Sequence, residues 1–144
     1  MITDAYLKVS TEQALTTTAI STDKIDLSVA RDIGEGENLY MHFNVDTALT
    51  GGTSVKFEVV VADDAAISSN VTVVGSTDAV LSAALVAGYS TAVRINPIIA
   101  SLGKRYLAAR YTIVGTYSAG AVTAQIVHDI QDGKKFYASG FTVV

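Results

Sequence analysis

Two histidines, His42 and His128, stand in a chain of 144 residues, and a metal or hydrolytic site would need them to converge with carboxylates. They fall on separate predicted strands, outside any H-x-H or H-E-x-x-H spacing. His42 also shares the polar side of its strand with Tyr40, Asn44 and Asp46, so a structural or solvent-facing role is expected. Asp63 and Asp64 follow an apolar run, and a carboxylate pair at a strand end can hold Ca²⁺ if backbone oxygens join it. Adjacent side chains on an extended backbone point to opposite faces, which favours a solvated loop instead. The segment Arg31-Asp32-Ile33-Gly34-Glu35-Gly36-Glu37 carries a G-x-G, but a dinucleotide fingerprint needs a third Gly, a strand before it and a helix after it. Leu39 occupies the third Gly position, a strand follows, and Glu35 and Glu37 would repel a pyrophosphate. An ordered acidic loop is expected there, with Arg31 able to pair with Asp32 or Glu35. Neither Gly103-Lys104 nor Gly133-Lys134 is followed by Ser or Thr, so there is no P-loop, and no G-x-S-x-G occurs. The absence of Cys removes disulfides, thiolate metal sites and cysteine nucleophiles. No enzyme activity and no cofactor are expected.

The partners are bounded by charge. A net charge of −4 with ten basic residues argues against nucleic acid, because the closest basic groups are only the pairs Lys104-Arg105 and Lys134-Lys135. Met1 to Leu7 carries Asp4 early and lacks the charged and apolar regions of a secretory signal, so synthesis and action in the cytosol are expected. The uncharged stretch from Tyr111 to Val127 is broken by Gly115, Ser118, Gly120, Thr123 and Gln125 and is too short to span a membrane. Charged residues make up 17% of the chain against a usual value of about 25%. The surface is therefore expected to be unusually poor in charge.

The elements that must position these residues are strands. There are 18 Val, 11 Ile and 16 Thr, so 45 of 144 residues are β-branched, and such side chains sit well on a pleated surface. Leu39, Met41, Phe43 and Val45 alternate with Tyr40, His42, Asn44 and Asp46, and Val55, Phe57, Val59 and Val61 alternate with Lys56, Glu58, Val60 and Ala62. The Gly51-Gly52 step between them suggests a hairpin or neighbouring strands. Further strands are expected at Val71–Val74, Thr91–Ile95, Tyr106–Val114, Ala121–His128 and Phe141–Val144, with an earlier one inside Ala14–Leu27. Asp78–Ala87 is the one plausible helix, with a buried loop as its alternative, and Ser10 with Gln13 has capping-box spacing. The length fits one domain, residues 1–144, with 1–14 as an N-terminal arm and 129–144 as a docked C-terminal segment. The expected fold is an all-β antiparallel sandwich, a jelly roll first and an immunoglobulin-like sandwich second. Lys134, Lys135, Phe136, Tyr137 and Phe141 concentrate charge and aromatic mass near the chain end, where residues need something to tie them down.

From Asp26-Leu27 through Ala30-Arg31-Asp32-Ile33-Gly34-Glu35-Gly36-Glu37 to Leu39-Tyr40, the chain resembles the capsid cement, or decoration, proteins of short-tailed bacteriophages. The resemblance continues through Val45-Asp46-Thr47-Ala48, Asp63-Asp64-Ala65-Ala66-Ile67, Leu85-Val86-Ala87-Gly88-Tyr89, Arg105-Tyr106-Leu107 and Ala119-Gly120-Ala121-Val122-Thr123-Ala124, in order and spacing. It implies a non-enzymatic jelly roll on the outer capsid surface of the virion, with the major capsid protein as partner. A homodimer is implied first and a trimer second. On that reading Arg31, Asp32, Glu35 and Glu37 shape one contact loop, and Tyr137 and Phe141 anchor another contact or the dimer seam. A carbohydrate-binding or host-attachment module on the virion is the alternative, because jelly rolls also serve as lectins.

Overall fold

The β-branched runs become strands in a computed structural model that describes residues 4–28 and 38–128. Among these residues lie β1 (Lys8–Ala14), β2 (Ala19–Ile20), β3 (Ile25–Asp26), β4 (Tyr40–Thr50), β5 (Ser54–Ala62), β6 (Thr72–Ser76), β7 (Val80–Leu81), β8 (Ser90–Arg94), β9 (Tyr106–Val114) and β10 (Ala119–Val127). Single turns of 3-10 helix at Ala5–Leu7 and Ser82–Ala84 and one α-turn at Ile99–Leu102 complete the set. The first sheet has the order β1-β10-β4-β8 and the second β2-β9-β5-β6, with β3 also on β9 and β7 also on β5. Every ladder is antiparallel. If β2 with β3, and β6 with β7, are each one interrupted strand, the first strand pairs the eighth, the second the seventh, the third the sixth and the fourth the fifth. This is a long hairpin rolled into two sheets, the jelly roll. In an immunoglobulin sandwich the first two strands share a sheet, whereas here β1 and β2 lie in different ones.

The core explains why β4 and β5 do not form the expected hairpin. Met41, Phe43 and Val45 of β4 and Val55, Phe57, Val59 and Val61 of β5 all enter one cluster, approaching it from opposite sheets. The Phe43 and Phe57 rings meet across the sandwich with centroids 5.0 Å apart, and Tyr111 stands edge-on to both. The glycine step is therefore an arch between sheets. Its backbone is held by Thr53 N–H donating to Val114 O and Ser118 N–H donating to Thr50 O. Gly52 is required there, because a Cβ would come within 2.4 Å of the Tyr117 ring. Tyr117 is fully buried, and its hydroxyl lies 2.7 Å from Ser82 Oγ, which donates to Gly52 O.

Three other expectations are corrected. Asp78–Ala87 is neither a helix nor a single loop: it supplies β7 and a 3-10 turn, with only Leu85 fully buried. Ser10 and Gln13 do not cap a helix, because both lie in β1, where register shifts and a positive φ at Glu12 let Ser10 Oγ reach Gln13 Oε1 at 2.7 Å. Ala14–Leu27 yields two short strands, β2 and β3, in place of one. Within the segment expected as an arm, Lys8–Ala14 forms β1 on the edge of the first sheet. The strand expected at Phe141–Val144 and the docked segment 129–144 lie outside the described residues.

Candidate functional site at one end of the sandwich

The register brings several connections to one end of the sandwich. Tyr40, which opens β4, pairs with Val127, which closes β10, and with Arg94, which closes β8. In the second sheet, Tyr106 opens β9 opposite both Ala62 and Asp26. Arg31, Asp32, Glu35 and Glu37, and Tyr137 and Phe141, lie outside the described residues. The described residues on either side of those two segments do converge. Leu27 N–H donates to Arg105 O, Leu39 O accepts from Ile95 N–H, and Tyr40 stands beside Val127. Strand order thus joins to one corner two segments that are about a hundred residues apart in sequence.

Ion pairs fix the loops around this corner. Arg105 donates from Nε and a terminal nitrogen to the two oxygens of Asp26, at 2.9 and 2.8 Å, and its guanidinium lies 5.2 Å from the Tyr106 ring centroid. The Arg105 hydrogen bond, aided by the Ser28 backbone N–H, lowers the Asp26 carboxyl to about 2. Lys104 Nζ donates to Asp63 Oδ1 at 2.9 Å, and Asn70 Nδ2 donates to Asp63 Oδ2 at 2.7 Å. Asn70 and Lys104, in that order, hold the Asp63 carboxyl below the usual carboxylate value. Asp64 accepts from Ser68 N–H, Ser69 N–H and Ser68 Oγ, which depresses its carboxyl as well.

The adjacent carboxylates therefore diverge. Asp64 stiffens the loop from inside, and Ile67, at a φ of 53°, drops into a second apolar cluster with Val60, Ala62 and Ala108. Asp63 ties that loop to the segment before β9. Among the described residues, no group of three or more His, Cys, Asp or Glu side chains could hold a metal ion.

The outer face of the first sheet runs into the same corner. Tyr40, His42, Asn44 and Asp46 of β4 face outward, as the alternation predicts, beside Thr123, Gln125 and Val127 of β10. Asp46 accepts from Asn44 Nδ2 at 2.7 Å and from Thr123 Oγ1 at 2.6 Å, and Thr123 Oγ1 accepts from Glu12 N–H. His42 stands opposite Gln125 in the ladder, and burial pushes its imidazole below the ordinary value. Sequence reasoning found the β4 half of this face through its period of two. It missed Gln125 and Val127, because only the β4–β10 register reveals their neighbours.

The aromatic set divides. Tyr111 and Tyr117 are core residues, and Tyr6 is almost fully exposed on its 3-10 turn. Elsewhere, among the described residues, the one buried charge is Glu58, on the outer face of the second sheet. It accepts from Arg110 Nε and Thr112 Oγ1 at 2.7 Å each, with Lys56 at 3.3 Å. Burial raises its carboxyl, and these three partners together outweigh that effect.

The fold and the corner define a class of protein: a jelly roll whose charged loops and open chain connections gather at one end. A family model described as Bbp16 matches residues 9–126, from β1 into β10, and the chain belongs to that phage-related family. No curated protein matches the chain.

Proposed function

We propose that this protein is a structural component of a phage virion that binds the outer surface of the assembled capsid and bridges neighbouring major capsid subunits. The observation that carries this reading is membership of a phage-related family over nearly the whole sandwich. Two further features support it. The first is the ordered resemblance to cement proteins along the sequence. The second is the pairing of Tyr40 with Val127 in the first sheet, which brings together the described residues that follow the Arg31–Glu37 segment and precede the C-terminal one. The protein acts without catalysis, as a homodimer on the shell. Once one contact with a capsid subunit has formed, the next occurs at high effective concentration, so the bridge holds far more tightly than either contact alone. Subunits pressed apart by packaged DNA are held together in this way.

The test is co-sedimentation of the purified protein with expanded capsids of the source phage that lack this component. Saturation at a simple ratio to the capsid subunit is expected. A Glu35→Lys, Glu37→Lys double variant should weaken binding and change its salt dependence, because contacts between exposed charges are screened. If nothing sediments with either expanded or unexpanded shells, the proposal fails, and a glycan panel then tests the attachment module.

A further inference from the structure

Two outward-facing positions on the first sheet are buried as deeply as the core. Gln125 is 6% and Val127 5% exposed, yet both belong to the outward set of β10, since Val122 and Ala124 fill the inward set. Across the ladder, Ser90 and Arg94 at the outer edge of the same sheet are exposed. Among the described elements, the turn Ala5–Leu7 adjoins β10, but it leaves Tyr6 92% and Leu7 38% exposed and so does not roof this face with its own side chains. Gln125 Oε1 and His42 Nδ1, on cross-strand neighbours, are buried without a hydrogen-bond partner among the described residues. Buried polar atoms are normally paired, so an acceptor and a ring nitrogen side by side mark a place where a further group belongs.

We propose that the outer face of the first sheet, centred on Gln125, Val127 and His42, is a docking surface for residues 129–144 of the same chain. That segment starts at the edge of the face, one residue beyond the His128 that follows β10. Its reach of about 50 Å when extended exceeds the roughly 30 Å length of β10, so it can return along the whole strand. It carries the apolar mass that the face would take, in Phe136, Tyr137, Phe141, Val143 and Val144. It also carries backbone N–H groups and Lys134 and Lys135, donors of the kind that Gln125 Oε1 lacks. Docking in cis holds whether or not the protein binds a capsid.

The chain has no Cys, so Ser139→Cys in the full-length protein gives a unique attachment point for a nitroxide spin label. Expected is loss of the amide signals of His42, Asn44, Thr123 and Gln125 when label and isotope are on one chain. Those signals should be retained when spin-labelled and isotope-labelled chains are mixed. Loss in the mixed sample instead would overturn the proposal and give the face to a second copy. Retention of all four signals in both samples would overturn it outright.

Discussion

Single side chains in this protein do structural work that their spacing does not announce. Tyr111 is fully buried against Phe43 and Phe57, and its hydroxyl donates to Ser10 Oγ at 2.7 Å, joining β9 of one sheet to β1 of the other. Tyr111→Phe is expected to cost about 1 kcal/mol, read from the urea midpoint, because the ring packing survives and only the buried hydrogen bond is lost. Glu58→Gln should cost somewhat more, about 2 kcal/mol, since it leaves the half-buried Arg110 facing a neutral partner. Titration follows the same groups. Asp26, Asp63, Asp64 and Glu58 all have carboxyls held below their ordinary values in the folded chain. Stability from such depressed acids is complete above the unfolded value and is lost as pH falls through the folded one. For Asp26 that window runs from 3.8 down to about 2. His42 adds a shallower loss at higher pH, because its depressed imidazole makes protonation unfavourable in the fold as pH falls below 6.5. His42→Gln should therefore flatten the melting temperature between about pH 7 and about pH 5 while leaving the steeper acid limb unchanged.

At the scale of elements, the arch between β4 and β5 is where local pattern and tertiary outcome separate. β4 alternates throughout and β5 in its first half, before Val60 and Ala62 make its other face apolar too, and a hairpin around the Gly-Gly step would satisfy that pattern equally well. The arch forms because both apolar faces must enter one core, which puts the strands in opposite sheets with Phe43 against Phe57. Gly52→Ala tests how tightly the arch is closed. A methyl against the Tyr117 ring is expected to destabilise by about 2 kcal/mol, measured by chemical denaturation. Tyr117→Leu frees the space, so the double variant should lose less stability than the two single changes together. The alternation of β4 and β5 was legible in sequence because each strand has an inward set. The interruptions within Ala14–Leu27 were not, since β2 and β3 are short and are fixed by their pairing with β9.

At the scale of the whole molecule, the described strands form a roll in which β1 pairs with β10, so the first of them waits for the last before its ladder forms. Refolding is expected in the range of about milliseconds to seconds, as stopped-flow fluorescence of the tyrosines would record, because distant pairings carry loop-closure entropy before they stabilise anything. The same closure gathers Ser28, Asn38 and His128 to one end, and it is what makes that end a candidate contact region. By itself, the amino-acid sequence determined strand content, the inward apolar sets of β4 and β5, the outward polar set of β4, and the absence of thiols. These depend on residue type and on a period of two. Only the tertiary structure decided which strands pair, that Asp63 takes Lys104 and Asn70 as partners while Asp64 takes Ser68 and Ser69, and that Gln125 and Val127 lie buried on an outward face. Those outcomes depend on register between strands distant in sequence, where shifting by one residue exchanges the inward and outward faces.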